Sequence, residues 1–211
     1  MRKRIVTLLA AGGAAALAVG LTATPSFATA VTTWTVSPGG TISVSGSAQV
    51  KDTTTGTIAK CTSLKLGGTL KSGTGLSGAG VGSITSASFT GCTIGAIAVT
   101  VAIGPGSLPW KFNALSYNAT SGVTTGSLQR IDLRASATGC TAALDGTALG
   151  ANNGKTKFTY TNSTGKLKLL GSGGNLHTWG VVGCFGLVNN GDPEHASGSG
   201  LLTPKQTIHS P

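Results

Sequence analysis

A chain of 211 residues with 9% charged side chains, 5% aromatic side chains and 34 glycines lacks the charged and straight-chain residues that clothe exposed helices, and suits strands and bends instead. Its formal charge of +10 comes from scattered lysines and arginines that alternate with other residues along strand-like runs, which excludes the clustered footprint of a nucleic-acid binder. Such a surface allows at most a weak attraction to anionic cell-wall polymers or acidic glycans.

The chain opens with Arg2, Lys3 and Arg4, continues with an apolar stretch from Ile5 to Leu21, and reaches Ala28-Thr29-Ala30. This charged, apolar, small-residue order is that of a secretory signal, with cleavage expected after Ala30. The apolar stretch is short for a membrane helix, which needs about 20 residues. No cysteine stands near the cleavage point, and Ile208-His209-Ser210-Pro211 offers no apolar tail. The expectation is a single mature domain over residues 31–211, secreted or associated with the cell surface, without a transmembrane segment. Removal of the first three charges leaves it near +7.

From Val31 onward, strand-like runs alternate with turn signals every ten residues or so, as in a sandwich or barrel. Trp34 and Val36 alternate with Thr33 and Thr35, and Ile42 and Val44 resume that period after the turn Ser37-Pro38-Gly39-Gly40. Further strands are predicted over residues 48–51, 57–66, 82–90, 96–103, 110–118, 124–137, 141–147, 155–161, 166–170, 176–182 and 200–208. Asn, Asp, Gly and Pro clusters between them supply the turns. No helical period longer than about two turns follows the signal. The predicted fold is all-β, an antiparallel sandwich or barrel.

Four cysteines in an exported chain predict two disulfides, with three connectivities open. Locality favours Cys61 with Cys92 and Cys140 with Cys184. No pair has the close spacing of a zinc site. A weak echo between Cys61-Thr62-Ser63-Leu64 and Cys140-Thr141-Ala142-Ala143-Leu144, each followed later by a Gly-Cys pair, points to two related halves.

The segments Trp34-Thr35-Val36-Ser37-Pro38-Gly39-Gly40, Ser83 to Cys92, Leu108-Pro109-Trp110 and Tyr160 to Gly165 resemble a group of exported, Gly/Thr-rich β-proteins from high-GC Gram-positive bacteria. The resemblance implies secretion and β structure, and it transfers no catalytic residue.

Residues able to carry chemistry are few. Gly73-Thr74-Gly75-Leu76-Ser77-Gly78 has the letters of a dinucleotide-binding motif, but the following Ala79-Gly80-Val81-Gly82 cannot start the helix that would hold a phosphate; it reads as a flexible hairpin tip. Asp192, Glu194 and His195 lie close enough to offer metal ligands, yet read first as a polar loop, so no metal or cofactor is expected. A hydrolase needs a nucleophile, a base and an orienting acid; the residues to test are His177 and Asp192, with Asp145 as a further acid. Clustered exposed tryptophans among Trp34, Trp110 and Trp179 would make a sugar-stacking platform, whereas core packing is their default. The expectation is a non-catalytic extracellular binding or structural protein with no assigned ligand, the rival being an extracellular hydrolase.

Overall fold

The computed structural model describes residues Thr32–Pro211, which form one compact unit; the predicted signal and its cleavage point lie outside the described residues. The strands are β1 (Thr33–Ser37), β2 (Gly40–Asp52), β3 (Ile58–Leu70), β4 (Gly73–Ser77), β5 (Gly82–Ile94), β6 (Ile97–Ile103), β7 (Trp110–Asn118) and β8 (Val123–Ile131). They continue as β9 (Leu133–Ala137), β10 (Cys140–Asp145), β11 (Gly154–Thr161), β12 (Lys166–Leu170), β13 (His177–Gly183), β14 (Glu194–Thr203) and β15 (Thr207–His209). A single 3-10 turn, Cys184–Gly186, is the one helical element among the described residues. The fold is all-β, as the alternation of side chains requires.

The strands β5, β3, β2, β14, β12, β11, β8 and β7 lie side by side, and β7 pairs back onto the start of β5 through Gly82, Ser83 and Ile84, closing an eight-stranded barrel. Its interior is filled by Val44, Leu66, Ile84, Phe112, Phe158 and Tyr160, all buried, with the Phe112 and Phe158 rings 4.5 Å apart. The outward side of β2 carries Thr41, Ser43 and Ser45, all exposed. Polar out and apolar in is the reverse of a membrane barrel's wall.

The end of β5 leaves the barrel. Cys92, Thr93 and Ile94 pair with β6, and the sheet continues through β9, β10 and β13. There β13 returns to the start of β14 through a bridge between His177 and Pro193, with Thr178 N donating to Asp192 O at 2.9 Å and Glu194 N to Leu176 O at 2.8 Å. One twelve-stranded sheet therefore closes twice, and β2, β3, β5 and β14 form a wall shared by both chambers. A second, small sheet of β15, β1 and β4 is tied to the barrel by Tyr160, whose hydroxyl donates to Gln206 O at 2.8 Å and accepts from Gln206 N at 2.9 Å.

Both disulfides follow the local pairing, Cys61 with Cys92 and Cys140 with Cys184. In the chain-entropy account, closures of 31 and 44 residues stabilise by roughly 3.5 to 4 kcal/mol each. Both links join neighbouring parts of one continuous sheet, β3 to β5 and β10 to the turn after β13, so the echo between the two cysteine segments does not mark separate bodies. Three sequence expectations change. The run 124–137 is two strands, because Arg130 takes a left-handed φ of 72° and the chain turns before β9. The run 200–208 is interrupted at Pro204 between β14 and β15. The glycine-rich segment read as a hairpin tip is β4, paired with Trp34 and Val36 of β1.

Crossing from one chamber to the other bends the shared wall, and small residues make room for it. A Cβ on Gly46 would meet Ser199 O of β14 at 2.0 Å, where the β2 to β3 register shifts between Gly46 and Ala48. Replacing Gly46 by alanine is expected to lower unfolding free energy in urea by about 2 kcal/mol or more. An alanine variant as stable as the parent would show that the strands are not pressed together at this point.

Candidate functional site

The second chamber is walled differently from the first. Where the barrel interior carries phenylalanine, tyrosine and isoleucine, the second is lined by Ala48, Ala59, Ala135, Ala137, Ala142 and Ala143, together with larger apolar residues and the three half-cystines Cys61, Cys92 and Cys140. Strand alternation turns Ala135, Ala137 and Ala142 inward on β9 and β10, and Ala48 and Ala59 on β2 and β3, but a methyl group reaches only part of the way to the facing sheet. A cavity of about 130 Å³ remains between the sheets, close to the apolar cavity of about 150 Å³ that stays dry and takes up benzene in an engineered protein. Its inner end meets the core at Leu133 and Phe89. Ile97, 46% exposed, shares a face of β6 with Val99 and Val101 and continues their apolar line outward.

One seam of the chamber is polar. Where β13 closes onto β14, Glu194 is buried and lines the cavity beside Thr178, whose hydroxyl donates to Glu194 Oε1 at 2.5 Å. Burial drives the Glu194 carboxyl up to about 7; the Thr178 bond opposes this, while the nearby charges of Asp52 and Asp192 add to it. Asp52 is tied down by its own turn, its Oδ1 accepting from the amides of Thr54 at 2.8 Å and Thr55 at 2.9 Å. Asp192 accepts from both the amide and the side chain of Asn189 at 2.9 Å. Burial would raise its pKa, but these bonds, together with hydrogen bonding to the Asp52 and Thr54 side chains, outweigh it and leave the group below its ordinary value.

The residues singled out in the sequence fall in different places. Asp192 and Glu194 do come together, but Glu194 and His195 open β14 rather than a loop, and His195 turns outward into solvent. Among the described residues no group of acids, histidines and cysteines is arranged to hold a metal ion. His177 bonds through Nδ1 to Asn175 O at 3.0 Å. Asp145 stands opposite His177 in the β10 to β13 register, yet its carboxylate accepts from the amides of Gly146, Asn152, Asn153 and Gly154 and so orders a turn. Trp34 and Trp110 are core residues, and Trp179 is half-buried with its Nε1 on Gly146 O at 3.2 Å, so the three tryptophans build no stacking platform. What sequence reasoning missed is the chamber and Glu194's place in it. The available signal was the inward-phase alanines of residues 133–144, which follow the strand period without filling volume.

A disulfide-linked all-β protein holding a carbon-walled chamber of small-ligand size is the class that fold and site define. Residues 1–178 match the family model described as alkane oxidation protein activator, PraA/PraB-like, and the chain belongs to that family. Among curated proteins and among solved structures nothing matches it.

The buried Glu194 makes stability depend on pH with a definite sign. Its folded pKa of about 7 lies above the ordinary value of 4.5, so its contribution is fully present below pH 4.5 and is lost as pH rises to about 7. Relative to Glu194→Gln, the parent protein is expected to lose on the order of 2 kcal/mol across that window, read by urea unfolding at several pH values. Parallel pH profiles for the two proteins would remove Glu194 as a buried titrating group.

Proposed function

We propose that this protein is an exported, non-catalytic binding protein of the cell exterior, and that its ligand is an apolar molecule whose hydrocarbon portion enters the alanine-lined chamber. The observation that carries the reading is the cavity itself. A pocket of about 130 Å³, lined almost wholly by apolar side chains and partly open to solvent, leaves that apolar wall against water, at a cost of roughly 25 cal/mol per Å². Replacing several inward alanines by valine or leucine would remove that cost, so the small residues favour an occupant that comes from outside. The family description, alkane oxidation protein activator, points to the same class of molecule.

Two disulfides in the chamber wall suit work outside the reducing cytoplasm. Among the described residues no helix is long and apolar enough to cross a membrane. The dispersed lysines supply a weak, salt-sensitive attraction to anionic wall polymers, which would retain the protein near the cell.

Equilibrating the purified protein with n-octane vapour and measuring uptake by headspace gas chromatography tests the reading. Saturable uptake near one molecule per chain is expected. Ala142→Leu and Ala59→Leu, which fill the chamber, are each expected to reduce it at least tenfold while the melting temperature holds or rises. Uptake that is non-saturable, or indifferent to both substitutions, would contradict the reading.

A further inference from the structure

The chamber wall is predominantly apolar, its acidic groups are Glu194 and Asp52, and the seam that holds Glu194 restricts what can lie against it. Thr178 is the one hydrogen-bond partner of the Glu194 carboxyl among the described residues, and it occupies Oε1. A carboxyl group offers about four lone-pair sites when ionised and a donor when protonated, so Glu194 keeps capacity for a further partner, and Asp52 Oδ2, on another residue lining the same cavity, is buried with no partner among the described residues. A buried polar group without a partner costs about 1 to 3 kcal/mol. A bare alkane would leave that cost in place.

The charges around the seam select the partner further. No lysine, arginine or histidine is among the described lining residues, while Asp52 lines the same cavity and Asp192 lies close to Glu194. An anionic head group would enter with no counter-ion and three acids around it. A hydroxyl group meets neither obstacle: it donates to an ionised carboxylate and accepts from a protonated one. The cavity volume corresponds to about six carbons by comparison with benzene, so a longer chain would extend along the line of Val101, Val99 and Ile97.

We propose that the second chamber binds a linear alkyl chain bearing a terminal hydroxyl group, a primary alcohol, with the hydroxyl on the Glu194 carboxyl beside Thr178 and the chain against the alanine wall. The inference rests on reading the chamber as a ligand site and adds the head group to it.

Competition among n-octane, 1-octanol and octanoate for the full-length protein at pH 8 tests it. 1-Octanol is expected to bind at least tenfold more tightly than either of the others. Glu194→Leu is expected to bring the octanol-to-octane ratio below threefold, and Glu194→Gln, which keeps a neutral hydrogen-bonding head, to retain most of the preference. The parent protein and the glutamine variant carry the test should the leucine variant fail to fold. Equal affinities for octanol and octane in the parent would overturn the head-group inference and leave the apolar site standing. Tighter octanoate binding would also overturn it, and no saturable binding of any of the three would overturn both.

Discussion

The structure depends on four long strands having to serve two enclosures. β2, β3, β5 and β14 run the length of the molecule, and each must turn its alternating side chains toward one interior in its first part and toward another further on. Period-2 alternation puts every second residue on the inner face, so the bend between the enclosures has to preserve phase. The register shifts at Gly46 and Ala48 in β2 and at Gly67 and Gly68 in β3 accommodate it. Gly46, Gly198 and Gly200, where a Cβ would meet the neighbouring backbone at 2.0, 2.4 and 2.7 Å, let adjoining strands press together. Glycine abundance here reflects curvature rather than looseness.

From that wall the two interiors diverge by side-chain volume alone. In the barrel, Phe112 packs against Phe158 with the rings tilted by 38°, and Tyr160 caps the end by holding both the amide and the carbonyl of Gln206. In the second enclosure half of the inward residues of β9 and β10 are alanine, Ala135, Ala137 and Ala142, and the sheets stay apart because they are fixed at their edges: by the β5 to β6 pairing on one side and the β13 to β14 closure on the other. The two disulfides add covalent links to the same frame. Rigid edges around a lightly filled interior are what keep an apolar cavity from collapsing, and they place two buried acids that line it, Glu194 and Asp52, at the closing seam.

Much of the fold was legible because alternation is a local property. Trp34 and Val36, Ile42 and Val44, and Lys166-Leu167-Lys168 each announce a strand with one wet face, and the cysteine pairs followed from their order along the chain. The double closure was not legible, since which strand neighbours which depends on long-range pairing. β4 was read as a hairpin tip because Gly73 and Gly75 say nothing about the partner strand that supports them. Glu194 was read as part of a polar loop because its burial depends on Thr178, sixteen residues earlier, coming to face it. The candidate site was therefore visible only as an unexplained run of alanines.

The account stands on the second enclosure being open inside. A crystal structure determined under xenon pressure tests this most directly, because xenon enters preformed apolar cavities and not packed cores. The account predicts xenon between Ala59 and Ala142 and none among Phe112, Phe158 and Tyr160 of the barrel. Sheets closed onto one another at Ala59 and Ala142, with no xenon between them, would contradict it.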